Sequence, residues 1–320
     1  MMMQMMKKIK QHVPAPVQRT YVELRAALLS LTLPAGGTFN QPEEEREASR
    51  HMSIIVPVKD APAVTWRCLC SLERFAPYAE VIIIDDASEM TETRQILDDF
   101  CGRNPWTLIR HRQSQGHSLS CEAGVHRATR PYLCLLNSDT VITPWSWLAA
   151  KEAFEGDPAI GVTGPCTSHC ATRQMIQRAM YCRHYWSDDQ IFAFAQLHLS
   201  GLEPRQWVDM EEVGGFAFFL RQSLWKELGG FDVNLPDYGN ESELCKRVLR
   251  RGLRIVWTRN SYIHHFGKQS YASTFGGKDR INERAVRTRQ YIDQKYAAEP
   301  SSCPGSGGNE SYQRGRRSVS

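Results

Sequence analysis

The chain has 320 residues, of which 42% are hydrophobic and 23% charged, as in an ordinary globular protein with a substantial core. The formal net charge of +4 is small, so a nucleic-acid-binding surface is not expected. No apolar run approaches membrane-spanning length, no secretory signal is visible, and the ten cysteines are not spaced as a disulfide framework. These features favour a cytoplasmic protein and leave open a peripheral association with the inner face of a membrane.

The two ends of the chain differ in composition from its centre. Residues 1–50 are polar, contain several prolines and glycines, and are predicted to be largely disordered. Residues 297–320 are rich in serine, glycine and arginine and are predicted to form a disordered tail. The folded domain is therefore expected to span residues 51–296.

The first half of this domain alternates between strand and helix patterns. Strands are predicted at 52–58, 80–86, 107–110 and 132–136, and helices at 65–75, 91–101 and 119–129. Such alternation is typical of a nucleotide-binding α/β unit with right-handed crossovers. The GxGxxG fingerprint of NAD- and FAD-binding proteins is absent after the first strand.

Acidic residues follow two of these buried strands. Asp85 and Asp86 end the second strand, and Asp139 lies just past the fourth. Ligands of open α/β sheets bind outside the carboxyl ends of the strands, where a carboxylate can hold a hard divalent cation against a phosphate. The competing interpretation is that these acids belong to ordinary turns.

The second half is less regular. A helix is predicted at 145–154 and a strand at 160–164, whereas 166–206 has many aromatic and basic residues and no clear period. A strand at 213–221 with paired glycines, helices at 222–228 and 240–251, and a strand at 254–258 follow.

Six short motifs occur in order along the predicted domain. They are Ile54-Ile-Val-Pro57-Val58, Ile84-Asp85-Asp86-Ala-Ser88, Leu135-Leu-Asn137-Ser-Asp139, Gly229-Gly-Phe-Asp232, Asn240-Glu241-Ser-Glu243 and His265 with Ser270. Together they resemble the family 2 glycosyltransferases of GT-A fold, over residues 52 to about 273.

This resemblance implies one catalytic α/β domain with a Rossmann-like, mostly parallel central sheet flanked by helices. Residues 52–140 would form its nucleotide-binding half and 141–296 its acceptor half. It also implies transfer of a hexose-like sugar from a nucleoside-diphosphate donor to an acceptor hydroxyl, with inversion at the anomeric carbon. The acceptor would be a carbohydrate, a lipid-linked glycan or a protein, as in polysaccharide biosynthesis.

The resemblance also assigns site residues. The nucleotide-sugar site would include nine residues near the strand ends: Pro57, Val58, Asp60, Asp85, Asp86, Gly116, Asn137, Ser138 and Gly215. Asp139 and His265 would hold Mn²⁺ or Mg²⁺, a Lewis acid that neutralises charge on the departing diphosphate. His264 is interpreted as a structural, core-facing residue.

Inverting transfer also needs a carboxylate base on the acceptor side. Glu241 matches the family's aspartate in that role, and Glu243 is the alternative. The alternative interpretation is structural, because acids at the N-terminus of a helix can cap its first backbone amides and interact favourably with the helix dipole.

Three departures from the family pattern keep another function open. Asn137 replaces the first acid of the Asp-x-Asp motif, Glu122 stands where the family has Asn, and Glu241 replaces Asp. These departures keep open the alternative that the protein is a catalytically inactive sugar-nucleotide-binding module. A nucleotidyltransferase also uses carboxylate-bound metal, but no Gly-rich triphosphate loop follows Val58.

Overall fold

A central sheet of nine strands organises the described residues, 39–267 and 278–297 of this computed structural model. The strands are β1 (Met52–Val58), β2 (Glu80–Asp85), β3 (Thr107–Arg110), β4 (Tyr132–Leu136), β5 (Thr140–Ile142), β6 (Ile160–Cys166), β7 (Trp207–Met210), β8 (Ala217–Arg221) and β9 (Arg254–His265). They lie in the order β3-β2-β1-β4-β8-β6-β9-β5, and β7 pairs with β9. All run in one direction except β5, β7 and β8. The predicted mostly parallel α/β sheet is confirmed.

Ten helices in the described ranges surround this sheet. They are α1 (Glu43–Ser49), α2 (Pro62–Phe75), α3 (Thr91–Arg103), α4 (His117–Val125), α5 (Leu148–Gly156), α6 (Gln177–Cys182), α7 (Asp188–Leu199), α8 (Gln222–Leu228), α9 (Asn240–Arg250) and α10 (Lys278–Ala297). None of these helices is both long enough and apolar enough to cross a membrane.

The first half follows the predicted alternation closely, because its strands β1, β2 and β4 are covered on both faces. Along β1, Ile54 and Val56 pack into one core cluster while Ile55, pointing to the opposite face, packs into a second. A strand buried on both sides needs apolar residues at every position, which is why its sequence reads as a continuous apolar run. Since β2 and β4 flank β1 in parallel, the carboxyl ends of all three strands meet at one edge.

The second half departs from the predicted pattern at its strands. The strand predicted at 254–258 continues to His265, because its last residues pair with β5, a strand of three residues that the sequence did not predict. In this pairing Thr140 lies opposite His265. The end of β4 and the end of β9 are thereby brought together.

The segment 166–206, which lacked a readable period, contains helices α6 and α7. Helix α7 begins with a capping box. The Ser187 side chain accepts a hydrogen bond from the Gln190 backbone amide, and the Gln190 side chain accepts one from the Ser187 backbone amide. Five consecutive residues, 191–195, are buried. Because this central part of the helix is buried on all sides, its sequence shows no amphipathic period.

Part of the predicted N-terminal extension belongs to the fold. Phe39 packs into the core, and the buried Glu45 of α1 accepts hydrogen bonds from the backbone of Trp147 and Leu148 at 2.8 and 2.9 Å. Those amides begin α5, so an acid on α1 completes the start of another helix. Residues 1–38 and 298–320 lie outside the described ranges.

Candidate active site

A cavity of about 420 Å³ opens at the edge where β1, β2 and β4 end. Ten of the thirteen predicted site residues line it: Pro57, Val58, Asp86, Gly116, Asn137, Ser138, Asp139, Gly215, Glu241 and His265. They come from strand ends, from the N-terminus of α4 and from the N-terminus of α9. The fold therefore gathers residues that are up to two hundred positions apart around one space.

Asp139 and His265 form a close pair in the wall of this cavity. The Asp139 Oδ1 lies 3.1 Å from His265 Nε2, and both side chains are almost fully buried. The other ring nitrogen of His265, Nδ1, donates to the backbone oxygen of His169 at 2.6 Å. Burial lowers the pKa of His265, but the charge of Asp139 and the hydrogen bonds to Asp139 and to the His169 carbonyl together outweigh it, so the pKa is raised.

This pair fits a divalent cation. Two ligand atoms at right angles on a metal with bonds of 2.0–2.1 Å are about 3 Å apart, close to the observed separation. The buried Nε2 of His265 faces the Asp139 carboxylate, and its Nδ1 donates to a backbone carbonyl, as in many metal-binding histidines. The described residues hold no group of three or more acidic, His or Cys side chains arranged for a metal. Substrate oxygens and water would have to complete the shell.

Glu241 lies over the backbone of Gly215. A Cβ added at Gly215 would be 2.1 Å from the Glu241 Oε1, so a side chain at position 215 is incompatible with the present place of this carboxylate. Among the described residues, no hydrogen bond or ion pair holds the Glu241 carboxylate. A carboxylate in a cavity with its oxygens available is able to accept a proton from a bound hydroxyl.

Asp86 organises the loop between β3 and α4. Its two oxygens accept from His111 Nδ1 at 3.0 Å, Ser114 Oγ at 2.6 Å, Gln115 N at 2.7 Å and Gly116 N at 3.1 Å. Burial raises the pKa of Asp86, but these hydrogen bonds outweigh it and leave the pKa below its ordinary value. Four donors fill the lone pairs of a carboxylate. Asp86 thus shapes the wall formed by Ser114 and Gly116.

Two of the predicted nucleotide-site residues do not line the cavity. Asp85 precedes Asp86 on a strand, where successive side chains point to opposite faces, and its carboxylate is buried against the Ser88 amide and Arg110. Asp60 accepts from the amides of Glu89 and Met90 at 2.9 Å, just before α3. Asp85 and Asp60 therefore do not line this cavity, and their assignment to the nucleotide site stays a prediction.

Glu243, the alternative base, also faces away from the cavity. It is two residues beyond Glu241 on α9, so the two side chains project from different sides of the helix. Its fully buried carboxylate pairs with Arg247 at 2.7 Å and with Lys295 at 2.6 Å. Glu243 is therefore a structural residue.

The positions of Glu122 and His264 bear on two further expectations. Glu122 lies on α4 and does not line the cavity, and its carboxylate is against Gly230 and near Trp225. His264 is fully buried between Tyr262 and the Arg183 carbonyl, and burial lowers its pKa to about 3. The structural interpretation of His264 is confirmed.

Several residues of the cavity wall were not predicted from the sequence. They are mainly polar and come from unpredicted stretches: Lys59, His117, His169, Glu212, Asp237 and Tyr238. Burial raises the pKa of Tyr238, and the negative charges of Glu241 and Glu212 nearby raise it further. The only available signal was local, since Glu212 lies two residues before the glycine pair that precedes β8.

The cavity is electrostatically acidic. Within the described part of the chain, five carboxylates line it, against a single ammonium, that of Lys59. The Lys59 Nζ is itself held by the Ala87 carbonyl at 2.6 Å. An anionic ligand would meet unfavourable charge here unless a cation entered with it.

Comparisons with known proteins agree with this architecture. A sequence model of Glycosyl transferase family 2 matches residues 53–228, more than half of the chain. O-antigen biosynthesis protein RfbC of Myxococcus xanthus is 24% identical over 228 residues, 67% of this chain and 17% of that protein. A putative polypeptide N-acetylgalactosaminyltransferase 10 of Caenorhabditis briggsae is 26% identical over 203 residues, 60% of this chain and 32% of that protein. The chain thus spans less than a third of either relative.

A solved structure supports the fold. GalNAc-T7 with UDP, GalNAc and Mn²⁺ superposes with a TM-score of 0.51 at 14% identity, over 67% of this chain and 42% of that one. At this identity the likeness concerns architecture.

Proposed function

Because the chain belongs to glycosyl transferase family 2 and has the GT-A fold, we propose that it is an inverting glycosyltransferase that moves a sugar from a nucleoside-diphosphate donor to an acceptor hydroxyl. The single observation that carries this proposal is that the Asp139–His265 pair and the available Glu241 carboxylate line the same cavity. The acceptor would be a carbohydrate, a lipid-linked glycan or a protein.

Asp139 and His265 would hold the metal, Mn²⁺ or Mg²⁺, with Asn137 and Ser138 alongside. When bound, such a cation acts as a Lewis acid and neutralises the charge that develops on a departing diphosphate. The acidic lining of the cavity supports the need for a bound cation. The ammonium of Lys59 alone does not neutralise the five carboxylates together with a diphosphate.

The nucleotide would lie against Pro57 and Val58 at the end of β1 and against the loop that Asp86 holds. Ser114 and Gly116 of that loop face the cavity, while Asp86 supports them from behind. Asp86 would then act on nucleotide affinity through the loop.

Glu241 would act as the base. It would take the proton of the acceptor hydroxyl as that oxygen attacks the anomeric carbon on the face opposite the leaving group. Gly215, lacking a side chain, leaves Glu241 room to reach this position.

The experiment is a thermal-shift screen of nucleoside-diphosphate sugars with Mn²⁺, beginning with UDP and GDP sugars, followed by measurement of diphosphate release. A ligand at about 100 times its dissociation constant stabilises the folded protein by about 2.7 kcal/mol. Metal-dependent binding with slow donor hydrolysis supports the transferase. Binding without any hydrolysis or transfer across acceptors would favour the inactive sugar-nucleotide-binding module, and diphosphate release from a nucleoside triphosphate would favour a nucleotidyltransferase.

A further inference from the structure

Helix α10 lies beyond the stretch matched by the family and packs against the segment that delivers Glu241. This segment, residues 232–243, is called the Glu241 segment. It supplies Asp237, Tyr238 and Glu241 to the cavity wall. Its inner side is held by α4, where the Ser118 side chain donates to the Leu235 carbonyl at 2.5 Å.

Lys295 of α10 contacts both ends of the Glu241 segment. Its Nζ lies 2.7 Å from Asp232 Oδ2 at one end and 2.6 Å from Glu243 Oε1 at the other. Two hydroxyls of the same helix add to these contacts, because Tyr291 donates to Asp232 and Tyr296 donates to Glu243, each within 2.7 Å. One ammonium thus joins two carboxylates that are eleven positions apart in the chain.

The middle of the segment also rests on α10. The Thr288 hydroxyl donates to the Tyr238 carbonyl at 3.4 Å, and the buried Ile292 packs beneath. Gly239 adopts a φ of +76°, and a Cβ there would lie 2.2 Å from the Thr288 methyl carbon. The close approach of the helix therefore depends on glycine at position 239.

The charges explain why a lysine is needed at position 295. The side chains of Asp232 and Glu243 are 7% and 0% exposed, so water screens them poorly. Glu243 keeps Arg247 as a second partner, but without Lys295 the two carboxylates would repel each other across a short, poorly solvated gap. This repulsion would push the two ends of the segment apart.

We propose that Lys295 is a positioning residue: by joining Asp232 to Glu243 it fixes the Glu241 segment, and with it Glu241 and Tyr238, in the cavity. The inference rests on the proposed function only for the role of Glu241 itself. It assigns to a helix outside the matched family region the task of completing the acceptor side of the site.

The first test measures hydrogen exchange by mass spectrometry in the full chain without substrate. Lys295→Met should raise exchange in residues 236–242 by at least about tenfold, while exchange in β1 and β4 stays unchanged. Arg289→Met is the matched control, since Arg289 lies on the same helix in an exposed pair with Asp293 and should leave the segment unchanged. Unchanged exchange in Lys295→Met would overturn the proposal, whether or not the protein is a transferase.

A second variant separates charge from packing. Adding Asp232→Asn to Lys295→Met removes the repulsion, so the double variant should exchange more slowly at 236–242 than Lys295→Met alone. If lost packing were the cause, the second substitution would leave exchange equal or faster, and the charge argument would fail. Lys295→Arg, which keeps the cation, should remain close to wild type.

The third measurement is donor hydrolysis with the sugar nucleotide found in the thermal-shift screen. At a temperature at which both proteins are folded, Lys295→Met should lower kcat by about 10²-fold, the cost of misplacing a reacting group by about 1 Å, with KM for the donor nearly unchanged. A mobile segment with unchanged kcat would overturn the positioning role. Absence of hydrolysis in the wild-type protein would instead count against the proposed function, and the exchange results would still decide whether Lys295 fixes the segment.

Discussion

Gly215→Ala tests the position of Glu241 without changing its chemistry. The new Cβ would lie 2.1 Å from the Glu241 Oε1, so the carboxylate has to move by about 1.3 Å to reach the 3.4 Å of ordinary contact. Gly215 is not in the left-handed region, so its backbone accepts alanine. The group that must move is the far end of a flexible side chain, and the fold should be retained.

We expect kcat for sugar transfer or donor hydrolysis to fall by about 10²-fold, because a displacement near 1 Å has that effect on a reacting group. Donor affinity, measured by calorimetry with UDP or GDP sugars and Mn²⁺, should change by less than about twofold. Gly102→Ala is the control, since a Cβ at that position has no atom within 4 Å. A Gly215→Ala protein with wild-type kcat would refute the assignment of Glu241 as the base in this position.

Five other substitutions test the remaining assignments. Asp139→Asn should abolish metal-dependent donor binding and turnover while the melting temperature stays near wild type, and full wild-type activity in excess chelator would contradict the metal site. Glu241→Gln should lower kcat by about 10²–10⁴-fold at nearly constant donor affinity and stability, whereas Glu243→Gln should also lower the free energy of unfolding in denaturant titrations, because it removes the charge that pairs with Arg247 and Lys295. Asp86→Ala should weaken nucleoside-diphosphate affinity by ~1.5–3 kcal/mol, and unchanged affinity by calorimetry would exclude a role for its loop. Burial raises the pKa of Glu45 from 4.5 to about 7, so stability should fall by about 3 kcal/mol as pH rises through that interval, and Glu45→Gln should remove this dependence.

The sign of the Glu45 effect follows from proton uptake. Between pH 4.5 and 7 the folded protein holds a proton on Glu45 that the unfolded chain has lost. Raising the pH over this interval therefore favours unfolding, and below it both states are protonated. A stability that is flat or rising over this interval would show that Glu45 is not desolvated as the structure indicates.

The first half of the fold was predictable because β1, β2 and β4 are buried on both faces and bounded by turn residues. Strands β3 and β4 and helix α8 have the predicted bounds. The second half was not, since α7 lacks an amphipathic period and β5 is three residues long. Strand pairing, which extends β9 to His265, depends on distant residues that no local window contains.

Motif order located the candidate site, but it did not separate neighbouring acids. Asp85 and Asp86 carry the same charge, and only the alternation of the strand turns one of them toward the cavity wall. Glu241 and Glu243 differ in the same way around the helix axis. The partners that decide each case, Arg110 for Asp85 and Lys295 for Glu243, lie 25 and 52 positions away.

The placement of Phe39 bears on where this domain begins. The family match begins at residue 53, but the Phe39 ring lies edge-on against Phe192, and Gln41 donates to the Phe75 carbonyl at 2.7 Å. A protein cut at the boundary of the match would expose the apolar surface that Phe39 covers and leave the first amides of α5 without the Glu45 carboxylate. We therefore expect a stably folded fragment of this chain to begin at or before Phe39, upstream of the first residue that the family model matches.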